Sequence, residues 1–162
     1  MWTVIDSPIG ELRLVEQHGA ITAIEFSPFR DPASSKGRVR GARDDDHPVL
    51  VETARQLAAY FAGDLKEFDL PLAPVGSEFQ QRVWKELLEV GYGDTASYGE
   101  IAHRIGRTNA ASRAVGLANG SNPIPVVIPC HRVIGANGTL TGYAGGIERK
   151  QLLLSLEQDA LF

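Results

Sequence analysis

The chain contains one cysteine, Cys130, in the sequence IPVVIPCHRVIGANG (residues 124–138), directly before His131. A lone cysteine is by default a small buried hydrophobic residue. Three prolines within residues 123–129 restrict the backbone here, however, and such rigidity favours a positioned side chain. The thiolate is the nucleophilic form of cysteine, and a histidine base oriented by a carboxylate promotes it. The pattern therefore predicts a nucleophilic thiol, with His131 as its base and Glu157 as one candidate carboxylate. In an extended segment successive side chains point to opposite faces, so His131 would have to act on Cys130 through a water or a bend.

Other chemistries are less consistent with this motif. Zinc deaminases need a second cysteine three residues after the first, where this chain has Val133. With one cysteine, we predict no disulfide and no metal site, the formal alternative being a His-rich site formed by His18, His47, His103 and His131. A cysteine hydrolase remains an alternative, although no pattern in the sequence indicates an oxyanion hole.

The charge distribution indicates where an acidic partner could bind. The net charge is −4, and residues 1–76 carry eight basic against twelve acidic side chains. Residues 97–150 carry six basic against two acidic side chains, a local charge of +4 around Cys130. The net charge argues weakly against a nucleic-acid partner, but its distribution matters more, and the positive charge surrounds the cysteine.

The elements that must position the cysteine begin with a separate N-terminal region. Alternating apolar and polar residues broken at Gly10 and Gly19 predict short antiparallel strands. Residues 27–48 are polar and predict a surface loop, whose basic stretch 36–43 is better explained by solvation than by nucleic-acid contact. An amphipathic helix ending at Gly63 and a last strand, EFDLPLAPVG, follow, and they predict a domain of residues 1–76.

Residues 77–162 predict a helical second domain. Ser77 with Gln80 and Ser97 with Glu100 form capping-box patterns at the starts of two helices. A short turn then leads to a third helix, AASRAVGLANG, with Asn109 as its expected cap. Two short helices joined in this way have the spacing of a helix-turn-helix, although a structural helical hairpin gives the same pattern.

The surface of the third helix favours binding to DNA by shape. Its outward positions are small except for Arg113, and small residues let a helix backbone approach a groove closely. Readout of bases in the major groove would require several Arg, Asn or Gln side chains at the start of the helix. The pattern therefore predicts groove and phosphate contacts with Arg113 as a single long probe, unless Arg113 is an ordinary surface ion-pair residue.

Taken together, these motifs resemble the O6-alkylguanine-DNA alkyltransferases, a family of direct-reversal DNA repair proteins. The family's Pro-Cys-His-Arg-Val motif is present as residues 129–133, and the resemblance extends through FQQRVW, SYGEIA, SRAVGLANGSNPIP and GTLTGYAGG. It is strong over residues 77 to about 157 and general over residues 1–76. The fold it implies is mixed α/β (α+β), with a ribonuclease H-like sheet-and-helix domain before a helical domain.

The resemblance also implies a reaction. Cys130 would take the alkyl group from O6 of guanine, and the implied substrates extend to O4-methylthymine. The resulting thioether would be permanent, so that one molecule repairs one lesion. His131 would be the base through a water, held by Glu157, while the Tyr98 hydroxyl would reach the guanine ring. Asn122 would tie the helix-turn-helix to the cysteine. For Tyr98 the alternative is a packed aromatic residue at the start of a helix.

The resemblance further assigns residues to DNA and to a pocket for a base flipped out of the duplex. The implied DNA contacts are Ala110, Ala111, Ser112, Arg113, Ala114, Gly116 and Tyr98, with Arg113 filling the place that the base leaves. The implied pocket comprises Pro125, Val133, Tyr143, Ala144, Gly145, Gly146 and Lys150. Lys150 could instead be a surface lysine. Ala144 departs from the family, other members of which have a hydroxyl residue there.

The expected partner is double-stranded DNA containing O6-alkylguanine, with no cofactor. The N-terminus lacks the pattern of a signal peptide and the apolar runs are short, so we expect a cytoplasmic, nucleoid-associated protein without a membrane segment. We expect a monomer in solution that can cluster on DNA. The competing interpretation is a non-catalytic lesion-binding protein, but such alkyltransferase-like proteins carry another residue in place of Cys130.

Overall fold

The structure is a computed structural model that describes residues 1–29, 41–140 and 142–159. The chain divides into two compact units, Met1–Pro74 and Val75–Phe162. Strands in the first unit and helices in the second give the mixed α/β class that the sequence predicts. Most of the basic stretch 36–43 lies outside the described residues. Of the helices in the described ranges, none has the length and apolarity needed to cross a bilayer.

The first unit contains an antiparallel sheet in the order β1-β2-β3, formed by Trp2–Ile5, Leu12–Gln17 and Ala20–Phe26. The turn between β2 and β3 is tight because His18 and Gly19 both adopt positive φ, 53° and 82°, as hairpin turns of two residues require. Leucine and isoleucine side chains of β2 and β3 are fully buried and form the core of this unit.

Helix α1, Pro48–Phe61, packs against this sheet. Its start is fixed by a proline in the first turn and by His47, whose side chain accepts a hydrogen bond from the Val49 amide, and Gly63 follows its end with a φ of 81°. The buried face is centred on Thr53, Leu57 and Tyr60, whereas Ala58 is exposed.

The prediction that EFDLPLAPVG forms a regular strand is wrong. The structure has one isolated bridge there, between Ile21 and Leu72. Its hydrogen bonds run from Ile21 N to Pro71 O and from Ala73 N to Ile21 O, both 2.8 Å. Pro71 and Pro74 have no amide hydrogen, so the ladder cannot be extended on either side of the bridge.

The described residues of the second unit form four α-helices: α2 (Glu78–Leu87), α3 (Tyr98–Arg104), α4 (Ser112–Gly120) and α5 (Ile147–Asp159). The capping box of Ser77 and Gln80 is confirmed, since each side chain bonds the backbone amide of the other residue. Ser97 caps α3 by accepting a hydrogen bond from the Glu100 amide. Strands β4 (Ala96–Ser97) and β5 (Val133–Ile134) pair in parallel and join the start of α3 to the segment after Cys130.

Helices α3 and α4 form the predicted helix-turn-helix, but the start of α4 differs from the prediction. Asn109 begins a short 3-10 turn, residues 109–111, and α4 starts only at Ser112 without a side-chain cap. The Asn109 side chain instead accepts a hydrogen bond at Oδ1 from the His103 ring, whose Nε2 lies 3.0 Å away. That contact draws the side chain of Asn109 back to α3 and away from the first turn of α4.

Candidate active site

Cys130 lies in a 3-10 turn of residues 130–132, which corrects the prediction that it sits on an extended strand. The Cys130 amide donates to Ile128 O at 2.7 Å, and the Arg132 amide donates to Pro129 O at 3.0 Å. Proline cannot donate a hydrogen bond, and Pro129 adopts a φ of −80° and a ψ of 63°, which turns the chain. The bend that the sequence analysis required for His131 is therefore built into the backbone.

Two asparagines hold the segment before this turn. Asn122 donates from Nδ2 to Ile128 O at 2.8 Å and accepts at Oδ1 from the Ile124 amide at 3.0 Å, so it spans the loop of residues 124–128. Asn119, at the end of α4, donates from Nδ2 to Cys130 O at 3.2 Å. The helix-turn-helix and the cysteine are thus joined by two buried side-chain amides, only one of which was among the predicted site residues.

His131 and Glu157, 26 residues apart, are in contact: His131 Nε2 lies 2.6 Å from Glu157 Oε2, and both side chains are buried. Burial raises the pKa of Glu157, but hydrogen bonds from His131 and Arg132 outweigh it and lower the pKa to about 2. The carboxylate is therefore ionised and can only accept, so Nε2 must carry the proton. His131 Nδ1 is buried and has no hydrogen-bond partner among the described residues.

Arg132 belongs to the Pro-Cys-His-Arg-Val motif, but it was not among the predicted site residues. Its side chain is buried and donates twice to Glu157, at 2.8 and 3.0 Å, and once to Val90 O at 2.6 Å. Its guanidinium carbon also lies 5.7 Å from the centre of the Tyr92 ring. A signal was present, since an arginine directly after the candidate base and a distant buried glutamate are suited to form an ion pair.

The thiol of Cys130 is 3 % exposed, and this burial raises its pKa to about 11. A hydrogen bond with the Asn122 side chain and the charge of Lys150 act in the opposite direction and do not overcome the burial. Cys130 is therefore a thiol at neutral pH in the free protein. A reaction at its sulfur needs a group that accepts the proton, and the unpartnered nitrogen of His131 in the same turn is available.

Lys150 is fully buried, which rules out the alternative that it is a surface lysine. Its ammonium donates to Val133 O at 2.5 Å, and burial lowers its pKa, while Cys130 acts to raise it. Within the described ranges, no cluster of three or more His, Cys, Asp or Glu side chains could hold a metal ion.

The other predicted pocket residues fall into two groups. Pro125, Val133 and Tyr143 are buried next to the segments that carry Cys130 and α5. Ala144, Gly145 and Gly146 lie in a turn closed by a hydrogen bond from Gly146 N to Tyr143 O at 2.9 Å, and this turn leads into α5. Ala144 and Gly146 are exposed and Gly145 is half-buried, so this turn borders solvent.

The predicted DNA contacts lie on and beside α4. Ala110, Arg113 and Ala114 are exposed, whereas Ala111, Ser112 and Gly116 are half-buried. Arg113 forms no ion pair with any residue that the structure describes, which argues against an ordinary salt-bridge role. The half-buried Tyr98 ring packs over Gly116, since a Cβ placed on Gly116 would lie 3.7 Å from it.

Comparison with known proteins identifies the family. Residues 1–74 match the family profile "6-O-methylguanine DNA methyltransferase, ribonuclease-like domain", and residues 78–159 match the profile of the "DNA binding domain" of the same enzymes. A methylated-DNA--protein-cysteine methyltransferase of Methanosarcina mazei is 59 % identical over 98 % of this chain and 97 % of its own length. The protein of that name from Mycolicibacterium paratuberculosis is 50 % identical, over 97 % of this chain and 92 % of its own.

A solved structure, that of Mycobacterium tuberculosis OGT in complex with DNA, has a TM-score of 0.83 and 50 % identity to this chain. The match covers 98 % of this chain and 93 % of that one. The family profiles match both units, and the relatives share 50 to 59 % of their residues with nearly the whole chain, so the family is established. The chain belongs to the 6-O-methylguanine DNA methyltransferase family.

Proposed function

We propose that this protein repairs DNA by moving the alkyl group of O6-alkylguanine in a duplex irreversibly to the sulfur of Cys130. The observation that carries the proposal is the contact of His131 with Glu157 at 2.6 Å, which leaves the second ring nitrogen of the histidine without a partner in the turn that holds the thiol. The membership of the chain in a family of DNA methyltransferases supports the choice of substrate.

In the proposed reaction His131 Nδ1 accepts the thiol proton, directly or through a water. The sulfur attacks the alkyl carbon, a new S–C bond forms and the C–O6 bond breaks, with its electron pair passing to the guanine. The developing negative charge on the base needs a proton, and the Tyr98 hydroxyl is the candidate donor. Glu157 holds the imidazolium that results, as a buried carboxylate does for a histidine base. Tyr98 then regains a proton from solvent and His131 returns its proton to solvent, so that the net transfer is of the thiol proton to guanine.

The product thioether has no chemical route back to a thiol at this site, so the protein acts once. Releasing the cysteine would need a strong nucleophile to attack a stable S–C bond, and neither His131 nor Glu157 supplies one. We accordingly expect one alkyl group per chain and no turnover. That expectation also separates this function from a cysteine hydrolase, which would release its product and react again.

The base must leave the duplex to reach a buried sulfur, and flipping costs a few kcal/mol of stacking. We assign the groove contact to the exposed face of α4, with Arg113 in the place of the displaced base, and the DNA complex of the Mycobacterium tuberculosis relative supports DNA as the partner. The pocket assigned to the flipped base is the predicted set that includes Val133, Tyr143 and the turn 144–146.

The remaining parts of the proposal concern scope. O4-methylthymine carries its alkyl group on an oxygen of the same base edge, so we include it as a substrate. We propose residues 1–76 as a separate N-terminal α/β domain. We also propose that the protein is a monomer in solution, clusters on DNA and lies with the nucleoid in the cytoplasm. The chain needs no cofactor in this reaction, since the thiol is itself the acceptor.

The test is to incubate the protein with excess duplex containing O6-methylguanine and to measure intact and peptide masses. We expect a gain of one methyl group on the Cys130 peptide, which saturates at one per chain, and no gain for Cys130→Ser. Repaired DNA with an unmodified Cys130, or more than one lesion repaired per chain, contradicts the proposal. Lesion binding by both proteins without any methyl transfer would indicate a non-catalytic lesion-binding protein.

A further inference from the structure

The Glu157 carboxylate, which is 1 % exposed, is shared by two side chains of the turn that carries Cys130. Arg132 donates from Nε to Oε1 at 2.8 Å and from Nη2 to Oε2 at 3.0 Å, while His131 Nε2 donates to Oε2 at 2.6 Å. The third nitrogen of Arg132, Nη1, donates to Val90 O at 2.6 Å. All three guanidinium nitrogens therefore have acceptors, and the side chain is held in one orientation as a permanent counter-ion.

The charge of Arg132 bears on the protonation of His131. A buried histidine beside an uncompensated carboxylate gains a counter-ion when it binds a proton, so such a pair favours the imidazolium. Here Arg132 already balances Glu157, and a proton on His131 would add an unbalanced positive charge to a buried site, which is unfavourable. A histidine that already carries a proton on Nδ1 cannot accept one from the thiol of Cys130.

We infer that Arg132 is a positioning residue for alkyl transfer, which orients the Glu157 carboxylate and offsets its charge so that His131 Nδ1 stays free to accept the thiol proton. The inference rests on the proposed function and adds a residue to it. The direction of the His131 pKa agrees: burial lowers it most, Glu157 raises it, and the charges of Arg132 and Lys150 lower it further.

The groups around His131 support giving this role to Arg132. Helix α5 contributes Glu157 and Lys150, and the turn itself contributes Cys130 and Arg132. The loop before β4 contributes Tyr92, whose ring lies under the guanidinium. The charged residues of α2, which also packs on this turn, are engaged or exposed: Arg82 donates to Ile105 O, Glu86 lies 4.0 Å from Arg104, and Glu78 and Lys85 are exposed.

The test is the pH dependence of the rate at which free O6-benzylguanine alkylates Cys130 in the full chain. The rate rises with pH as His131 loses its proton, so the acidic limb of the profile reports the proton affinity of His131. Arg132→Met removes the charge at similar length, and we expect its acidic limb to move up by about one pH unit. Arg132→Lys keeps the charge but not the paired hydrogen bonds, so its limb should move less, with the rate about tenfold lower.

Arg132→Met leaves the Glu157 charge buried without its counter-ion, and the variant can fail to fold for that reason alone. A second measurement therefore uses the wild-type protein. The nitrogen chemical shifts of the His131 ring, assigned by comparison with His131→Gln, are expected to show a neutral ring with its proton on Nε2 at neutral pH. An imidazolium at that pH overturns the inference.

Arg82→Met is the matched control, because Arg82 also donates to a backbone carbonyl of this unit and does not contact Glu157. Its acidic limb should coincide with that of the wild type. A folded Arg132→Met protein that loses rate equally at every pH, with an unmoved limb, overturns the inference, since a merely structural role would produce that result. Wild-type protein that does not take the benzyl group on Cys130 would instead contradict the proposed function itself.

Discussion

Asn119 reaches from the last turn of α4 to the backbone of Cys130, where its Nδ2 donates to the carbonyl oxygen at 3.2 Å. Its side chain is 1 % exposed, so this hydrogen bond is made away from solvent. Helix α4 presents Arg113 on its outer face, and Asn119 lies on its inner face. One helix therefore carries both the candidate DNA contact and a contact that holds the candidate nucleophile, Cys130.

Removing that contact should affect both stability and reaction. Asn119→Leu keeps the side-chain volume but leaves the buried Cys130 carbonyl without this donor, which costs about 1 to 3 kcal/mol. We expect that loss in the free energy of unfolding from urea titration, together with slower alkylation of Cys130 by free O6-benzylguanine. Asn137→Leu is the control: it removes hydrogen bonds from Thr139 that are exposed to solvent, so it should cost less stability and leave the alkylation rate unchanged. Unaltered stability in Asn119→Leu would show that the hydrogen bond is not made in solution.

Gly76 should not tolerate a side chain, because the ring of Trp84 occupies the space. A Cβ on Gly76 would lie 2.4 Å from Trp84 Cη2, and the ring cannot retreat easily, since it is buried and its Nε1 donates to Ala118 O at 2.8 Å. We expect Gly76→Ala to destabilise the protein by about 1 to 3 kcal/mol in urea unfolding. Gly120→Ala, where nothing lies within 4 Å of the added Cβ, should be nearly neutral. Equal effects of the two variants would contradict the packing argument.

Val126 adopts a φ of 72°, a conformation that is unfavourable for a β-branched residue, and it lies four residues before the cysteine. At most buried positions alanine is more stable than glycine by about 0.5 to 1 kcal/mol, because glycine loses more backbone entropy on folding. Here we expect the order to be reversed, with Val126→Gly more stable than Val126→Ala in thermal unfolding. The comparison cancels the loss of the valine side chain, which both variants share. Val127→Gly and Val127→Ala provide the control pair, for which the usual order is expected.

The sequence was most informative where structure depends on neighbours in the chain. The Ser77 and Ser97 caps, α1 and the paired helices α3 and α4 follow from local patterns of apolar and capping residues, and the structure contains them. The positive φ of Val126 and the 3-10 turn at Cys130 could not be predicted in this way. Glycine would have signalled the first, but a buried valine is held there only by the packing around it.

The candidate site also contains some features that the sequence could predict and others that it could not. The contact of His131 with Glu157 was expected, whereas the role of Arg132 depends on three acceptors that the fold brings together from α5 and from the segment after α2. Asn109 shows the opposite error. Its residue type and position favoured a helix cap, but the nearby His103 ring takes its side chain, and the helix begins three residues later. In both cases a side-chain contact that the local sequence pattern does not reveal decides the structure.

Glu157 should make the stability of the protein depend on pH in acid. Burial raises its pKa, but the hydrogen bonds from His131 and Arg132 bring it to about 2, below the ordinary value of 4.5. A carboxylate whose pKa is lowered on folding stabilises the protein above 4.5, and this stabilisation is lost as the pH falls towards 2. Its size is on the order of 3 kcal/mol, at about 1.4 kcal/mol for each pKa unit.

The measurement is the free energy of unfolding from urea titrations between neutral pH and the acid range, for the wild type and Glu157→Gln. The variant has no carboxyl group to titrate, so its stability should fall less than that of the wild type between pH 4.5 and 2. His131 also contributes to the pH dependence, because burial lowers its pKa and the protein loses stability as the pH falls below the pKa that His131 has in the unfolded chain. This contribution should remain in the variant. Parallel curves for the two proteins in the acid range would show that Glu157 titrates normally.

Arg113 should matter for a lesion in duplex DNA and not for the transfer itself. It is exposed on α4, forms no ion pair with the described residues, and is not among the side chains that contact Cys130, His131 or Glu157. If it fills the place of the flipped base, Arg113→Ala should slow repair of O6-methylguanine in a duplex by about tenfold or more, which corresponds to about 1.4 kcal/mol of the unstacking energy. The reaction of Cys130 with free O6-benzylguanine should keep its wild-type rate. Lys85→Ala, at an exposed lysine of α2, is the control for loss of charge alone. Equal losses of Arg113→Ala on both substrates would place its effect in the active site and remove the base-replacement role.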